Sequence, residues 1–222
     1  IIMKNFVNPR EALAVAVLAF RTNGNRVVKD TTDTQYANKS YLQSYFFPLK
    51  TNHKQLTVEM TPGLLEAADD VKVIIDHAVT MEMLTKGYVP SFLKSIHDLL
   101  TEDAMNINYA GIMVWAPKLA QDIQRSQGIK EVSAAHEHTS KFIGKVGDRI
   151  EFDFTLIEKR YVRQVDTWSA YGHNEQGNLV QFLSKHEELC ASGRIRARIK
   201  SHDKNRYHNN ANVTVVNFVK AA

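Results

Sequence analysis

Apolar residues recur at helical spacing through roughly the first 130 positions and then switch to strict alternation. Pro9-Arg10-Glu11-Ala12 predicts the start of an apolar helix that stops near Asn23-Gly24. Residues 22–39, rich in Thr, Asn and Asp, predict a loop or small hairpin. Tyr41, Leu42, Tyr45, Phe46 and Leu49 have the spacing of a short second helix. Thr61-Pro62 combines an N-cap with a proline at the first helical position. From there Leu64, Leu65, Ala68, Val71, Ile74, Ile75, Ala78 and Met81 trace one face of a long helix ending near Gly87. Pro90-Ser91 opens another, and residues 109–127 predict a last helix, bent at Pro117 by the missing backbone donor. The polar, weakly periodic stretch 128–140 is the expected linker.

Beyond it the period is 2. Ile150, Phe152, Phe154 and Leu156 alternate with Glu151, Asp153 and Thr155 in a first strand. Residues 167–173 and 179–184 predict a second and third strand around the turn Asn174-Glu175-Gln176-Gly177-Asn178. A fifth strand is expected over 213–219. The fourth, 194–202, is the most informative. Arg194, Arg196, Arg198, Lys200 and His202 fall on one face, while Ile195, Ala197 and Ile199 fall on the other. A helix would scatter the same cations around its whole surface. As a strand, they form a rail of cations about 6.6 Å apart, two residues at about 3.3 Å each. That is close to the phosphate repeat of an extended nucleic-acid strand.

Composition adds direction. The net charge of +4 is unevenly placed: residues 141–222 hold fourteen Lys/Arg against nine Asp/Glu, and residues 1–140 hold fourteen against fifteen. A polyanion is therefore expected to dock on the C-terminal part. No apolar run reaches the length of a membrane span. The apolar stretch 12–20 lacks a cleavage site and reads as a buried helix. The lone Cys190 fits a reducing compartment, the cytoplasm (that of the host, for a phage-encoded chain).

Five short strands that begin at Gly144-Lys145-Val146-Gly147-Asp148-Arg149 carry a resemblance. With the aromatic second strand, the turn into Leu179-Val180-Gln181-Phe182, and Gly193 to His202, they resemble the OB domain at the C-terminus of many bacteriophage replication and single-strand-binding proteins. The expected fold class is α+β: a helical domain over 1–135, a linker over 136–141, and a five-stranded Greek-key OB-type barrel over 142–222. The resemblance implies single-stranded nucleic-acid binding across the second and third strands, between the loops that follow the first strand and precede the fifth. Members of that family often end in an acidic tail that recruits partners. Here the sequence reads Val219-Lys220-Ala221-Ala222, so recruitment of replication or recombination proteins, or self-association, is expected from the helical region.

The expected binding residues are Arg194, Arg196, Arg198 and Lys200 on the rail, with Arg160 and Arg163 in the first loop and Lys204 and Arg206 in the last. Trp168, Phe182 and Tyr207 are the candidate stacking aromatics. Trp168 and Phe182 read equally well as barrel core. Strict alternation puts Trp168 and Tyr171 on opposite faces, so at most one of them can be a platform. The expected ligand is single-stranded DNA, with RNA left open, bound without sequence preference in replication, recombination or repair. No cofactor, metal, membrane or catalytic activity is expected.

Rival readings are weaker. His136-Glu137-His138 lacks a third metal ligand at suitable spacing. Residues 202–212 partly match the end of an HNH nuclease motif, but Val213-Thr214-Val215-Val216 reads as strand where that motif needs a helix. No glycine-rich phosphate loop occurs. The live alternative is a replisome or recombination adaptor whose helical domain binds a protein, with the OB domain secondary.

Overall fold

The computed structural model describes residues 5–48, 56, 58–205 and 210–222. It divides the chain into two compact units, Ile1–Arg125 and Ser126–Ala222.

The first unit is built on α1 (Pro9–Thr22). Asn8 caps it, its side chain accepting from the backbone N–H of Arg10 and Glu11, and Pro9 fits the first turn because no intrahelical donor is needed there. Ala12 to Val17, Ala19 and Phe20 are all buried, so the apolar stretch is the central core helix of this unit. Around it stand α2 (Asn38–Phe46), α3 (Pro62–Lys86), α4 (Ser91–Thr101) and the short α5 (Ala110–Met113). Two short strands, β1 (Phe6–Val7) and β2 (Met105–Asn106), pair antiparallel. The segment between α1 and α2 is a loop tied down by buried Asn38, whose Oδ1 accepts from Asn23 Nδ2 and from the backbone N–H of Val28. Thr61 caps α3, and Gly87 closes it at φ 74°, a left-handed value that glycine adopts without steric cost. Leu49, expected to extend α2, lies outside the described residues.

Two expectations for the last helix are corrected. Pro117 does not bend it: a turn at Val114–Trp115 ends α5, and Pro117 is the second residue of α6 (Ala116–Glu137), where its missing N–H costs nothing. The stretch expected as a linker is helical as far as Glu137. Its pattern misled because its inward positions are polar: Ser133 is fully buried, and the His136 ring lies 4.2 Å from that of His173. The last turns of α6 belong to the second unit.

That unit is a closed, OB-like five-stranded barrel of mixed strands. Around it run β3 (Arg149–Val162), β4 (Thr167–His173), β5 (Leu179–Ser184), β7 (Ala211–Ala221) and β6 (Gly193–Asn205). β5 and β7 run parallel; the other pairs are antiparallel. Closure depends on β3, whose first half pairs with β6 and whose second half pairs with β4 across a register break between Leu156 and Glu158. Such bulges bend and twist a strand, which lets one strand serve both sides of a barrel. Phe152, Phe154, Ala170, Val180, Phe182, Ile195, Ala197, Ile199 and Val216 fill the interior. Gly172 makes room for this packing: a Cβ there would lie 2.1 Å from the Thr155 carbonyl oxygen and 2.7 Å from the Phe154 ring.

Candidate nucleic-acid interface

The alternation in β6 turns out as expected up to Lys200. Ile195, Ala197 and Ile199 are buried, and Arg194, Arg196, Arg198 and Lys200 are exposed. The register extends the cationic face across neighbouring strands. Arg149, Glu151 and Asp153 of β3 stand opposite Arg198, Arg196 and Arg194, and Lys220 of β7 stands opposite Arg196. Six exposed cations thus share this side of the barrel with Glu151 and Asp153. A third carboxylate, Glu175 of the β4–β5 turn, reaches its edge, where it accepts from the Asp153 backbone N–H at 3.1 Å and acts on Arg194.

Those carboxylates correct the picture of an unencumbered rail. Arg194 Nε donates to Glu151 Oε1 at 2.9 Å, and its NH1 lies 3.5 Å from Asp153 Oδ2. Arg196 donates to Glu151 Oε2 through Nε at 3.2 Å and NH2 at 3.0 Å. Hydrogen bonds from Arg194 and then Arg196 hold the Glu151 carboxyl below its ordinary pKa, and Glu151 raises that of Arg194 in return. Arg198 Nε donates to the Gly147 carbonyl oxygen at 3.2 Å. The pattern of one chain segment could not show this, because opposite charges on paired strands meet only once the register is set.

The rail also stops one rung early. A register break between Ile199 and Ser201 leaves Lys200 at a bulge and reverses the parity of the strand. His202 turns to the other side, stacks on Phe142 at 4.5 Å, and places Nε2 3.1 Å from the Ile143 carbonyl oxygen.

The other expected residues lie elsewhere. Phe182 is 1% exposed and packs on Phe154 inside the barrel, so it offers no face to a base. Trp168 is half-buried against the barrel core, 5.2 Å from the Tyr161 ring, with Lys159 Nζ 5.3 Å from its own ring centre. Arg160 and Tyr161 are not in a loop. They belong to β3, opposite Ser169 and Trp168, because this strand runs longer than its apolar alternation indicates. The break after Leu156 puts Tyr161 on Trp168's face and Arg160 on the other. Arg163 is exposed in a 3-10 turn over 163–165. Lys204 is on β6, opposite Asn212, and not in the following loop. Arg206 and Tyr207 lie outside the described residues.

The face implied by resemblance, that of β4 and β5, is partly occupied by the chain itself. Tyr171, Leu179, Ala211 and Val213 form a buried cluster outside the barrel core. Burial pushes the Tyr171 phenol up, with Ser133 of α6 and Asn205 beside its hydroxyl. Cys190 is buried too, and burial first, then Glu187 and Glu188, raises its thiol pKa against an opposing pull from Lys159. Among the described residues no group of three or more His, Cys, Asp or Glu could hold a metal ion. Among them, too, no helix is long and apolar enough to cross a membrane.

The structure therefore brings together Arg194, Arg196, Arg198 and Lys200, but not with Trp168 or Phe182, whose strands lie away from β6 in the barrel order. It adds Arg149 and Lys220, both exposed. Arg149 was legible as the first polar position of the alternating stretch 149–154. Exposed Phe218 of β7 was not, since it shares the parity of buried Val216. No family model, no curated protein and no solved structure matches the chain.

Proposed function

We propose that this protein binds single-stranded DNA without regard to sequence, and that its docking surface is the outer face formed by β3, β6 and β7. One observation carries the reading: six exposed cations on three adjacent strands outnumber the three carboxylates beside them, Glu151, Asp153 and Glu175. Exposed Arg198, Lys200, Arg149 and Lys220 make the first contacts with phosphates. Arg194 and Arg196 join only in the share of complexes in which a phosphate displaces the Glu151 carboxylate, both being oxyanions of suitable geometry for a guanidinium. The ion pairs are solvent-exposed, and such pairs exchange partners readily. The resemblance of the last third of the chain to phage single-strand-binding domains supports a role in phage-type replication, recombination or repair.

A polyanion docked here displaces counterions, so affinity for labelled oligo(dT) should fall with salt at about −0.7 per phosphate neutralised, roughly −2 to −4 for three to five contacts. Arg196→Ala with Arg198→Ala should flatten that slope by about 0.7 to 1.4, Arg198 giving about 0.7 and Arg196 up to as much again, without unfolding the barrel. An unchanged slope removes this face from the interface.

A second reading rests on the helical unit. Val73 and, about three turns further on, Met83 and Leu84 of α3 are exposed apolar side chains, which a protein partner would cover. A protein adaptor of this type would not bind oligonucleotides at moderate salt.

A further inference from the structure

Beside the cationic rail, β7 carries a second irregularity. Arg196 pairs with Lys220 and Arg198 with Asn217, so Phe218 and Val219 together oppose a single residue, Ala197. Val219 returns inward against the barrel core. Phe218 is left outside, 74% exposed, with φ at 52°. A bulky L residue is uncommon in the left-handed region, and glycine or asparagine would sit there with less strain. An exposed phenyl ring also forgoes the benefit of burial. Neither the conformation nor the exposure helps the fold, and both occur between the Arg196–Lys220 and Arg198–Asn217 rungs.

We propose that Phe218 is the base-stacking platform of this face, and that it makes the site selective for unpaired bases. The proposal rests on the reading of the face as a phosphate-binding surface, and supplies what that reading lacks. Cations alone treat single strands, duplexes and other polyanions alike, because phosphate contacts carry little information about bases. An aromatic ring amid them accepts any base, since every base has a π-face, but only where that base is free of its own stack. With phosphates on Arg196, Arg198 and Lys220, an extended strand can lay a base on Phe218. A duplex offers no such face.

The test compares wild type, Phe218→Ala and Phe218→Gly as full chains. Fluorescence anisotropy would be read on labelled oligo(dT), an abasic oligomer of the same length, and a duplex. Glycine suits φ 52°, so that variant should keep or raise the thermal midpoint, and any lost affinity then does not reflect unfolding. Both variants should bind oligo(dT) about 5- to 150-fold more weakly, the range associated with one stacked base. They should bind the abasic oligomer as wild type does, with the salt slope unchanged. If both bind oligo(dT) like wild type while Arg196→Ala with Arg198→Ala weakens it, the platform is refuted and the phosphate surface stands. If wild type binds none of the three ligands, the phosphate surface is refuted and the platform goes with it. Sedimentation that shows a wild-type dimer dissociated by Phe218→Gly, with oligo(dT) affinity unchanged, would reassign the ring to self-association.

Discussion

Glu151 is the residue whose replacement is most informative, because it engages Arg194 through one oxygen and Arg196 through the other. Glu151→Gln keeps the side chain's shape and removes its charge, which frees two guanidinium groups on a face already rich in cations. Each arginine that gains a phosphate should steepen the single-strand salt slope by about 0.7, so the pair together add up to about 1.4. Between 50 and 200 mM salt, one added contact makes affinity fall by an extra factor of about 2.6, and two by about 7. At low salt the variant should bind oligo(dT) more tightly than wild type. Acid would not readily substitute for the mutation: hydrogen bonds from Arg194 and then Arg196 hold the carboxyl below its ordinary pKa, so a more acidic solution is needed to neutralise it than an unpaired glutamate requires. The assay is anisotropy of labelled oligo(dT) across a salt series, with thermal unfolding in parallel. The unfolding midpoint should hardly move, since exposed ion pairs contribute little to stability. A folded Glu151→Gln protein with unaltered affinity and slope would show that these arginines only bind their own carboxylates.

Other expectations concern the barrel itself. Gly172→Ala should destabilise the protein by about 3 kcal/mol or more, because the new Cβ meets a backbone oxygen at 2.1 Å that cannot give way; denaturant unfolding reads this directly. Phe182→Ala should cost about 3–5 kcal/mol of stability while leaving the oligo(dT) affinity of the folded fraction intact, and lost affinity in a stable variant would contradict its assignment to the core. The pKa of His136 is lowered, first by burial and then by His173, so its contribution to stability is present above the ordinary histidine pKa and lost as pH falls through its depressed value. The thermal midpoint of wild type should therefore drop more between pH 7.5 and 5 than that of His136→Gln, and parallel curves would refute this.

Much of the architecture was legible without coordinates. The start signals at Pro9, Thr61-Pro62 and Pro90-Ser91, with apolar spacing, marked α1, α3 and α4, and the turn at 174–178 with its flanking runs marked β4 and β5 to the residue. These signals are local: a cap, a turn or a two-residue period records what neighbouring positions require of one another. Where they failed, a distant partner had overridden them. The end of α6 carries a polar pattern because polar residues such as Ser133 and His136 pack against the barrel. The phase of alternation slips after Leu156, after Ile199 and at Phe218, three places where curvature of the closed sheet inserts a residue that a single strand does not announce.

Residue order by itself determined that a ribbon of cations would face away from a small β core, since period-2 patterning admits only one buried side. Tertiary structure alone decided which charges that ribbon meets. Pairing β6 with β3 set Glu151 between Arg194 and Arg196, and pairing it with β7 brought Lys220 and the exposed Phe218 alongside. Register is a property of two strands together, so the neighbours of a side chain across a sheet follow from closure of the barrel and not from the segment that carries it.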